Sequence, residues 1–397
     1  MQVSHLGLTN YRNFARLEVD FPTRPIVLWG DNGHGKSNLL EAFFFLATTR
    51  SPFASSDRQL VHWLTWREQQ PFARLTARIE RQRGALRLEM VLKGRGSEAD
   101  WTLTDSEGPR VSKRIRINHV ERRAIDVLGE FQVVMFHPQD LEIVSGSPSD
   151  RRRYLDIANS QLEHRYARTL SRLNRVLLHR NSLLRRVRDE GARPEQLEFW
   201  NQQLVELGAY AILQRGRFIA DVGDLADTEH RRLTGGRKGM QVAYLAAMGE
   251  KTPIAAGDLD RESLEQRLQS ALKKEQTREI AAGVSLVGPH RDDLQFRVDG
   301  VDMTCYGSRG EQRTIALALK LAEAAYFLIR TNDRPVLLLD DVLSELDPDR
   351  RGHLLASLTT EHQAFLTTTS LEGFPAGFLG ESHLIRVIEG RMEVQAT

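Results

Sequence analysis

An α/β fold, with a mixed sheet assembled from two distant stretches of chain and a helical lobe inserted between them, is predicted by three features of this 397-residue sequence. The first is a strand–turn–helix signal near the start: Ile26 to Leu28, then the glycine-rich run Gly30-Asp31-Asn32-Gly33-His34-Gly35-Lys36-Ser37, then an apolar helix. The second is the apolar tetrad Val336 to Leu339 near the other end, which runs straight into Asp340 and Asp341. The third is a change of periodicity between them, from alternating patterns to helical spacing free of glycine and proline from Asp150 to Glu190. Residues 1–147 and 284–397 are therefore expected to form two halves of one head, and residues 148–283 a helical lobe.

Taken in order, Val3 to Phe21 alternates about a turn at Asn10 to Asn13, which gives two antiparallel strands. Arg12 and Asn13 stand at that turn, open to a nucleotide or DNA contact and equally to plain solvation. The loop after Leu28 fills every fixed position of GxxxxGK[ST]. A strand feeding a glycine turn and a helix aims main-chain N–H groups and the positive helix end into one concavity, which holds phosphate. Gly30, Gly33 and Gly35 permit close approach, Asp31, Asn32 and His34 complete the cradle, Lys36 reaches the outer phosphates, and Ser37 offers a hydroxyl to Mg²⁺. A chance match in an ordinary loop is the alternative, and the strand and helix on either side weigh against it. The helix from Ser37 to Thr48 is apolar nearly all round and so should be buried. Phe72 to Leu92 reads as a hairpin, Trp101 to Leu103 and Ile115 to Ile117 as a further pair of strands, and Phe131 to Phe136 as a buried strand.

In the helical lobe, Leu162, Tyr166, Leu170, Leu173 and Leu177 form one apolar stripe, and Leu197, Trp200, Leu204 and Leu207 another. The breakers from Gly191 to Pro194 fold the two helices into an antiparallel hairpin. Residues 151–190 carry eleven arginines and no lysine against four acids, a surplus of +7 in a chain of net charge +2. Arg165, Arg168, Arg172 and Arg175 share one helix face on which DNA phosphates could be neutralised. A solvated face or internal salt bridges is the alternative. Gly283 to Asp299 returns to strand character, with a turn at Gly300.

A composition of 41% hydrophobic and 27% charged residues belongs to a globular protein and excludes a disordered one. So small a net charge sets up no overall field for nucleic acid, which leaves any DNA contact to local clustering. The one cysteine, Cys305, makes neither an internal disulfide nor a cysteine metal cluster, which fits a reducing compartment. Met1 to Phe14 lacks the charged start and apolar core of a signal peptide, and the most apolar run, Thr314 to Ile329, is interrupted by Lys320 and Glu323. A cytoplasmic protein without a membrane segment is expected.

A lysine–serine phosphate loop needs a carboxylate at the end of a buried strand to complete a Mg²⁺ shell. Asp340 supplies it, directly or through water, and Asp341 is placed as the general base that orients an attacking water; solvated turn carboxylates are the alternative. Ser37 and Asp340 stand 303 positions apart, much farther than in a small kinase or GTPase. Just before the second half, Ser308-Arg309-Gly310-Glu311-Gln312-Arg313 opens a long helix from Thr314 to Ile329. A serine and a glycine at a helix start make a second anion site, redundant in a monomer with one nucleoside triphosphate and useful if it caps the nucleotide of a partner subunit.

SRGEQ resembles the LSGGQ signature of ABC-type ATPases, and Ser344-Glu345-Leu346-Asp347 resembles their D-loop. More closely, the chain resembles the RecF family of bacterial recombination and gap-repair ATPases. The matching pieces are Asn10 to Phe14 (NYRNF), the phosphate loop running into Asn38-Leu39-Leu40-Glu41-Ala42, Arg152 to Asp156 (RRYLD), Gly288 to Asp293 (GPHRDD), the Ser308 element and Leu338 to Asp347 (LLDDVLSELD). The phosphate loop is shared with many activities, whereas GPHRDD together with DDVLSELD is highly specific. The resemblance implies an ABC/SMC-like P-loop ATPase head, a mixed sheet with an antiparallel β subdomain, and a helical second lobe in place of a long coiled coil. It also implies ATP and Mg²⁺ as cofactors and an ATP-induced homodimer that clamps gapped DNA, single-strand/double-strand junctions or duplex. RecR and RecO are implied as partners in loading RecA, and a weak DNA-stimulated ATP hydrolysis as the reset. Residue by residue, it puts Gly30 to Ser37 on the nucleotide, Ser37 and Asp340 on the metal, Lys36 and Asp341 in catalysis, Gln139 near the lid glutamine, and Ser308 and Gly310 on the partner's nucleotide. It also favours DNA on the arginine face.

The chain departs from the pattern of ABC-type sites at Asp341, where most carry glutamate, and at Thr367, Thr368 and Thr369, where many carry a switch histidine. GPHRDD is open as a phosphate or DNA contact, or as a structural corner whose charges pair with one another. Two other functions compete: a P-loop small-molecule kinase or phosphotransferase, against which the Ser308 element argues, and an ATP-gated scaffold that contacts only proteins. Salt-dependent DNA binding separates them, because phosphate contacts release counterions.

Overall fold

The computed structural model describes residues 1–94, 111–236, 239–255, 257, 260–358 and 363–394; the strand expected at Trp101 to Leu103 lies outside them. The chain divides into two units, Met1–Pro138 with Phe327–Thr397, and Gln139–Tyr326.

Alternation builds the first sheet of the first unit. Strands β1 (Gln2–Tyr11), β2 (Phe14–Asp20), β4 (Phe72–Glu80), β5 (Leu86–Gly94), β6 (Val111–Ile117) and β7 (Val120–Arg122) run in the order β2-β1-β4-β5-β6-β7, antiparallel throughout. Register sets Leu75 opposite Met90 and Ala77 opposite Leu88, so the apolar halves of both strands share one buried face. The second sheet reads instead as unbroken apolar runs, as strands covered on both faces do. It comprises β3 (Ile26–Trp29), β8 (Val133–Phe136), β13 (Val336–Leu339), β14 (Ala364–Thr368), β15 (His383–Ile388) and β16 (Arg391–Val394), in the order β16-β15-β3-β14-β13-β8. All are parallel except β16. Helix α1 (Lys36–Thr48) is buried nearly all round as its composition requires, and its Phe43 ring lies 4.4 Å from that of Phe365 and 5.8 Å from that of Phe21. β14 lies between β3 and β13, which brings the ends of three strands, one from each side of the insertion and one from the C-terminal stretch, to one edge.

The second unit is built on helices α2 (Glu142–Ser145), α3 (Pro148–Leu162), α4 (His164–Glu190), α5 (Leu197–Thr234) and α6 (Arg261–Ala282). Ser147 and Asp150 form a capping box around Pro148 at the start of α3. Gly191 ends α4 in the left-handed conformation, at φ 68°. The apolar stripe from Leu162 to Leu177 spans two helices: Glu163 is extended and separates α3 from α4 with no glycine or proline present. Its carboxylate accepts the Tyr210 hydroxyl at 2.6 Å, a tertiary contact that helix propensity does not register. The strand character expected over Gly283 to Asp299 is confined to β11 (Asp293–Val298), which turns at Asp299 and Gly300 into β12 (Val301–Asp302). β11 pairs with β9 (Met240–Met248) in a four-stranded sheet, β10-β9-β11-β12, where β10 is Glu250–Pro253. Short α7 (Met303–Tyr306) and long α8 (Arg309–Thr331) then carry the chain back to the first unit, through α9 (Pro348–Ser357) and α10 (Ala376–Glu381). Among the described residues no helix is long and apolar enough to cross a membrane.

GPHRDD is a structural corner. Asp292 is fully buried and accepts hydrogen bonds from Arg215 Nη1 at 2.9 Å, the Ala247 N–H at 2.9 Å and the Tyr244 hydroxyl. Burial raises the pKa of its carboxyl, and Arg215 works against that shift. Arg215 also donates to Asp156 at 2.8 Å and to the Pro289 carbonyl at 2.6 Å, and Arg152 donates to the Asp292 carbonyl at 2.8 Å. Asp293 is gripped by Arg151 at 2.5 Å and Lys251 at 3.0 Å. The RRYLD and GPHRDD segments thus satisfy each other, as buried charges must.

Candidate nucleotide site

The loop from Gly30 to Ser37 joins β3 to α1. Gly30 and Gly35 sit at φ 142° and 109°, and a Cβ on either would fall 2.5 Å from the Val387 carbonyl oxygen or the Asn13 side-chain amide, so both must be glycine. Gly33, at φ 82°, has nothing within 4 Å of its missing Cβ. α1 begins with no side-chain cap, which leaves its first N–H groups and positive end directed at the loop. Asp31 and Asn32 are exposed, and His34 is half-buried, with its ring Nδ1 3.3 Å from the Val387 carbonyl oxygen and its own carbonyl accepting the Gly390 N–H at 3.0 Å and the Asn13 amide at 2.9 Å. Lys36 is buried, with Nζ donating to the carbonyls of Gly30 at 2.6 Å and Asp31 at 2.8 Å. Burial lowers its pKa, against the pull of Asp341, Asp340 and Asp31.

The carboxylates arrive from the neighbouring strands. Asp340 follows β13, and its Oδ1 accepts the Ser37 hydroxyl at 2.8 Å across 303 positions of sequence. The same oxygen accepts the Thr367 hydroxyl at 2.8 Å, and Thr367 Oγ1 in turn accepts the Asp341 N–H at 2.9 Å. The parallel register, Leu366 beside Leu339, sets Thr367 level with the acids. Asp341 holds φ 50°, an uncommon conformation for a residue with a side chain, and that N–H bond keeps it there.

These groups fit a triphosphate with a divalent ion. A hydroxyl and a carboxylate 2.8 Å apart give two hard oxygen donors, beside an ammonium satisfied only by neutral carbonyls and an uncapped helix start. Mg²⁺ is normally held by so few protein oxygens and completed by phosphate and water. Among the described residues, no cluster of three or more His, Cys, Asp or Glu side chains could hold a metal on its own.

The remaining expected site residues lie in the second unit. Gln139 is exposed on the turn Pro138–Leu141. Ser308 is exposed and Gly310 half-buried at the start of α8, where the Ser308 hydroxyl and N–H both donate to Glu311 Oε2, at 3.0 and 3.1 Å. Arg165, Arg168, Arg172 and Arg175 are all exposed on α4; Arg165 lies 4.6 Å over the Tyr210 ring and Arg172 reaches Gln203 on α5 at 3.5 Å.

A family model described as the RecF/RecN/SMC N terminal domain matches residues 2–388. Over 399 residues, covering 99% of each chain, the sequence is 44% identical to the DNA replication and repair protein RecF of Chloroflexus aggregans. The chain belongs to the RecF family. The RecF protein of Chloroflexus aurantiacus is 43% identical over the same share of both chains. A solved structure of the recombination mediator protein RecF-ATP in the RecFOR pathway matches with a TM-score of 0.83 at 29% identity, over 99% of this chain and 97% of that one. An Smc head bound to the C-winged helix domain of ScpA matches at TM-score 0.54 and 13% identity, over 100% and 98%, a likeness of fold alone. The expected ABC/SMC-like head with its antiparallel β subdomain is thus the fold of this RecF-family chain.

Two residues of this RecF-family site were not assigned from sequence. Asn13 bonds the loop carbonyl of His34 and, at 2.8 Å, accepts the Asn38 amide, so it braces the phosphate loop from outside. Arg12 forms a two-pronged ion pair with fully buried Glu41 on α1, at 2.6 and 2.7 Å, which makes it a structural clamp. Thr367 stood out in the sequence as one of three threonines where many ABC-type sites carry a switch histidine, and its tie to both acids needed the register.

Proposed function

We propose that this chain is an ATP-dependent DNA-binding protein of recombinational gap repair and replication restart, in which ATP acts as a switch. The Ser37–Asp340 hydrogen bond carries this, because it joins the two motifs of a nucleotide–metal site across the whole insertion. In it Gly33 and the helix start receive the phosphates, Lys36 leaves its two carbonyls for the outer phosphate oxygens, and Ser37 and Asp340 hold Mg²⁺, which supplies charge neutralisation for phosphoryl transfer. Asp341, tethered through Thr367, orients the attacking water and takes its proton. With aspartate one methylene shorter than glutamate, turnover is slow, and DNA stimulates it.

The Ser308 element argues for a shared site. Its hydroxyl is held by Glu311 at an exposed helix start, and in this reading Ser308 and Gly310 cap the nucleotide of a second copy, so that ATP favours the dimer by its preference for that state. The dimer clamps DNA near single-strand/double-strand junctions through the arginine face, and RecR and RecO join it in loading RecA. The relatives named above support these roles by their names and their nucleotide. Light-scattering mass with Mg²⁺ and ATP should double over the nucleotide-free value, and Ser308→Arg should bind ATP without doubling. A Ser308→Arg protein that still dimerises refutes the shared site.

A further inference from the structure

At the far end of the arginine row, α4 and α5 present an aromatic tip to solvent. Phe199 is 60% exposed and Leu178 70% exposed. The Phe199 ring stands edge-on to Trp200, with centroids 5.0 Å apart, and His179 stacks on Trp200 at 5.1 Å and 19°. Single exposed apolar side chains are ordinary. This one differs in its foundation and in its neighbours.

The foundation is rigid. Trp200 packs on the buried cluster of Leu183, Leu184 and Leu197. One residue along, Asn201 accepts Arg180 Nε at 2.9 Å, and the fully buried Arg180 also donates to Ser285 at 2.8 Å and Glu279 at 2.5 Å. The two helices are thereby locked in register where the rings project. The neighbours are cationic. Arg172 reaches Gln203, one turn from Phe199, and Leu178 and His179 lie one turn beyond Arg175, so the rings and the arginines border the same seam. Arg165 over Tyr210 closes its other end. From Arg165 to His179 the seam runs about 20 Å, or about six nucleotide steps of one strand.

We propose that Phe199, backed by the His179–Trp200 stack, is a base-stacking site for single-stranded DNA, engaging the unpaired strand where the arginine row ends. An aromatic face on a rigid base beside a row of phosphate-neutralising arginines is how proteins hold unpaired bases without reading sequence. A duplex keeps its bases stacked inside and offers the ring nothing, which makes the site a discriminator of junction from duplex. The inference rests on the arginine face as a DNA contact, and the test separates the two. Anisotropy titrations with the full chain, Mg²⁺ and ATP would compare a blunt duplex with the same duplex carrying a single-stranded tail. Phe199→Ala should weaken binding to the tailed DNA about fivefold to a hundredfold and leave the blunt duplex unchanged. Phe199→Trp should restore it, and Phe199→Leu should not. Equal binding of the tailed DNA by Phe199→Ala and wild type, rescue by leucine, or a wild type indifferent to the tail overturns the stacking site. Replacing Arg165, Arg168, Arg172 and Arg175 together by glutamine should weaken both DNAs; if it weakens neither, the arginine face itself is wrong, whatever Phe199 does.

Discussion

Thr367→Val tests how the two acids are held. Thr367 is 2% exposed, and its hydroxyl donates to the Asp340 carboxylate at 2.8 Å and accepts the Asp341 N–H at 2.9 Å. Valine keeps the shape and loses both bonds. A bond to a charged group contributes about 1.5–3 kcal/mol and a neutral one about 0.5–1.5 kcal/mol, so the pair accounts for about 2–4 kcal/mol, including the N–H left stranded. In a unit of about 200 residues each kcal/mol moves the melting point by about 2–4 °C, which puts the variant about 5–15 °C below wild type. The positional effect is separate. Asp341 at φ 50° has lost its tether while Lys36 and the loop glycines are untouched, so ATP turnover should fall more than ATP affinity. Thr367→Ser keeps the hydroxyl and should recover turnover. Calorimetry and a coupled phosphate-release assay on the three proteins decide it. A valine variant that melts within a degree of wild type and turns over ATP normally refutes the bridging role.

The other predictions concern the nucleotide and the buried corner. Lys36→Ala should abolish ATP binding in equilibrium dialysis, while Asp341→Asn should bind ATP and accumulate as the nucleotide-bound dimer; equal turnover by Asp341→Asn and wild type removes Asp341 from catalysis. His290 is held neutral by burial, its pKa lowered from 6.5 to about 4, with Nε2 donating to the Ser285 carbonyl and Arg291, Arg152 and Arg180 adding to the shift. The folded state therefore refuses a proton that the unfolded chain accepts, so this stability is complete above pH 6.5 and is lost as pH falls towards 4. Between pH 7 and pH 5 the loss is about 2 kcal/mol, and urea midpoints of His290→Asn should show that much less dependence on pH over the same interval.

How far the sequence reached depended on whether a feature was local. The phosphate loop was legible because its chemistry lies in eight consecutive residues, and the acid pair because an apolar tetrad ending in two aspartates has few other uses. β9 escaped notice, since Met240–Met248 mixes Gln241, Tyr244 and alanines with no clean alternation and is fixed as a strand by pairing with β11. The break at Glu163 was equally invisible, being set by a hydroxyl on α5. Of the alternatives left open for GPHRDD the structure selects the corner of paired charges, and its partner is RRYLD: Arg152 donates to the Asp292 carbonyl, and Asp156 is joined to the Asp292 carboxylate by Arg215. A motif of charges at conserved-looking spacing is as well explained by a buried pair as by a ligand, and only the fold chooses.

The same distinction changes the meaning of the +7 counted over residues 151–190. Arg151 and Arg180 are buried in ion pairs with Asp293 and Glu279, and Arg186 and Arg188 lean on Glu190 and Asp189. These four contribute nothing distinctive to a field outside. The buried pairs also have a different energetic character: removing one partner strands a charge and costs several kcal/mol, whereas an exposed arginine can be replaced at almost no cost in stability. Arg165, Arg168, Arg172 and Arg175 are exposed, with Arg165 over Tyr210 and Arg172 on Gln203, and none of the four is in a buried ion pair of the kind that holds Arg151 and Arg180. A charge surplus over a segment overstates what DNA would meet, because Arg151 and Arg180 are buried against acids from outside the segment. What matters is which arginines the fold leaves on one face, and here they lead to the one place on the seam where rings as well as charges reach solvent.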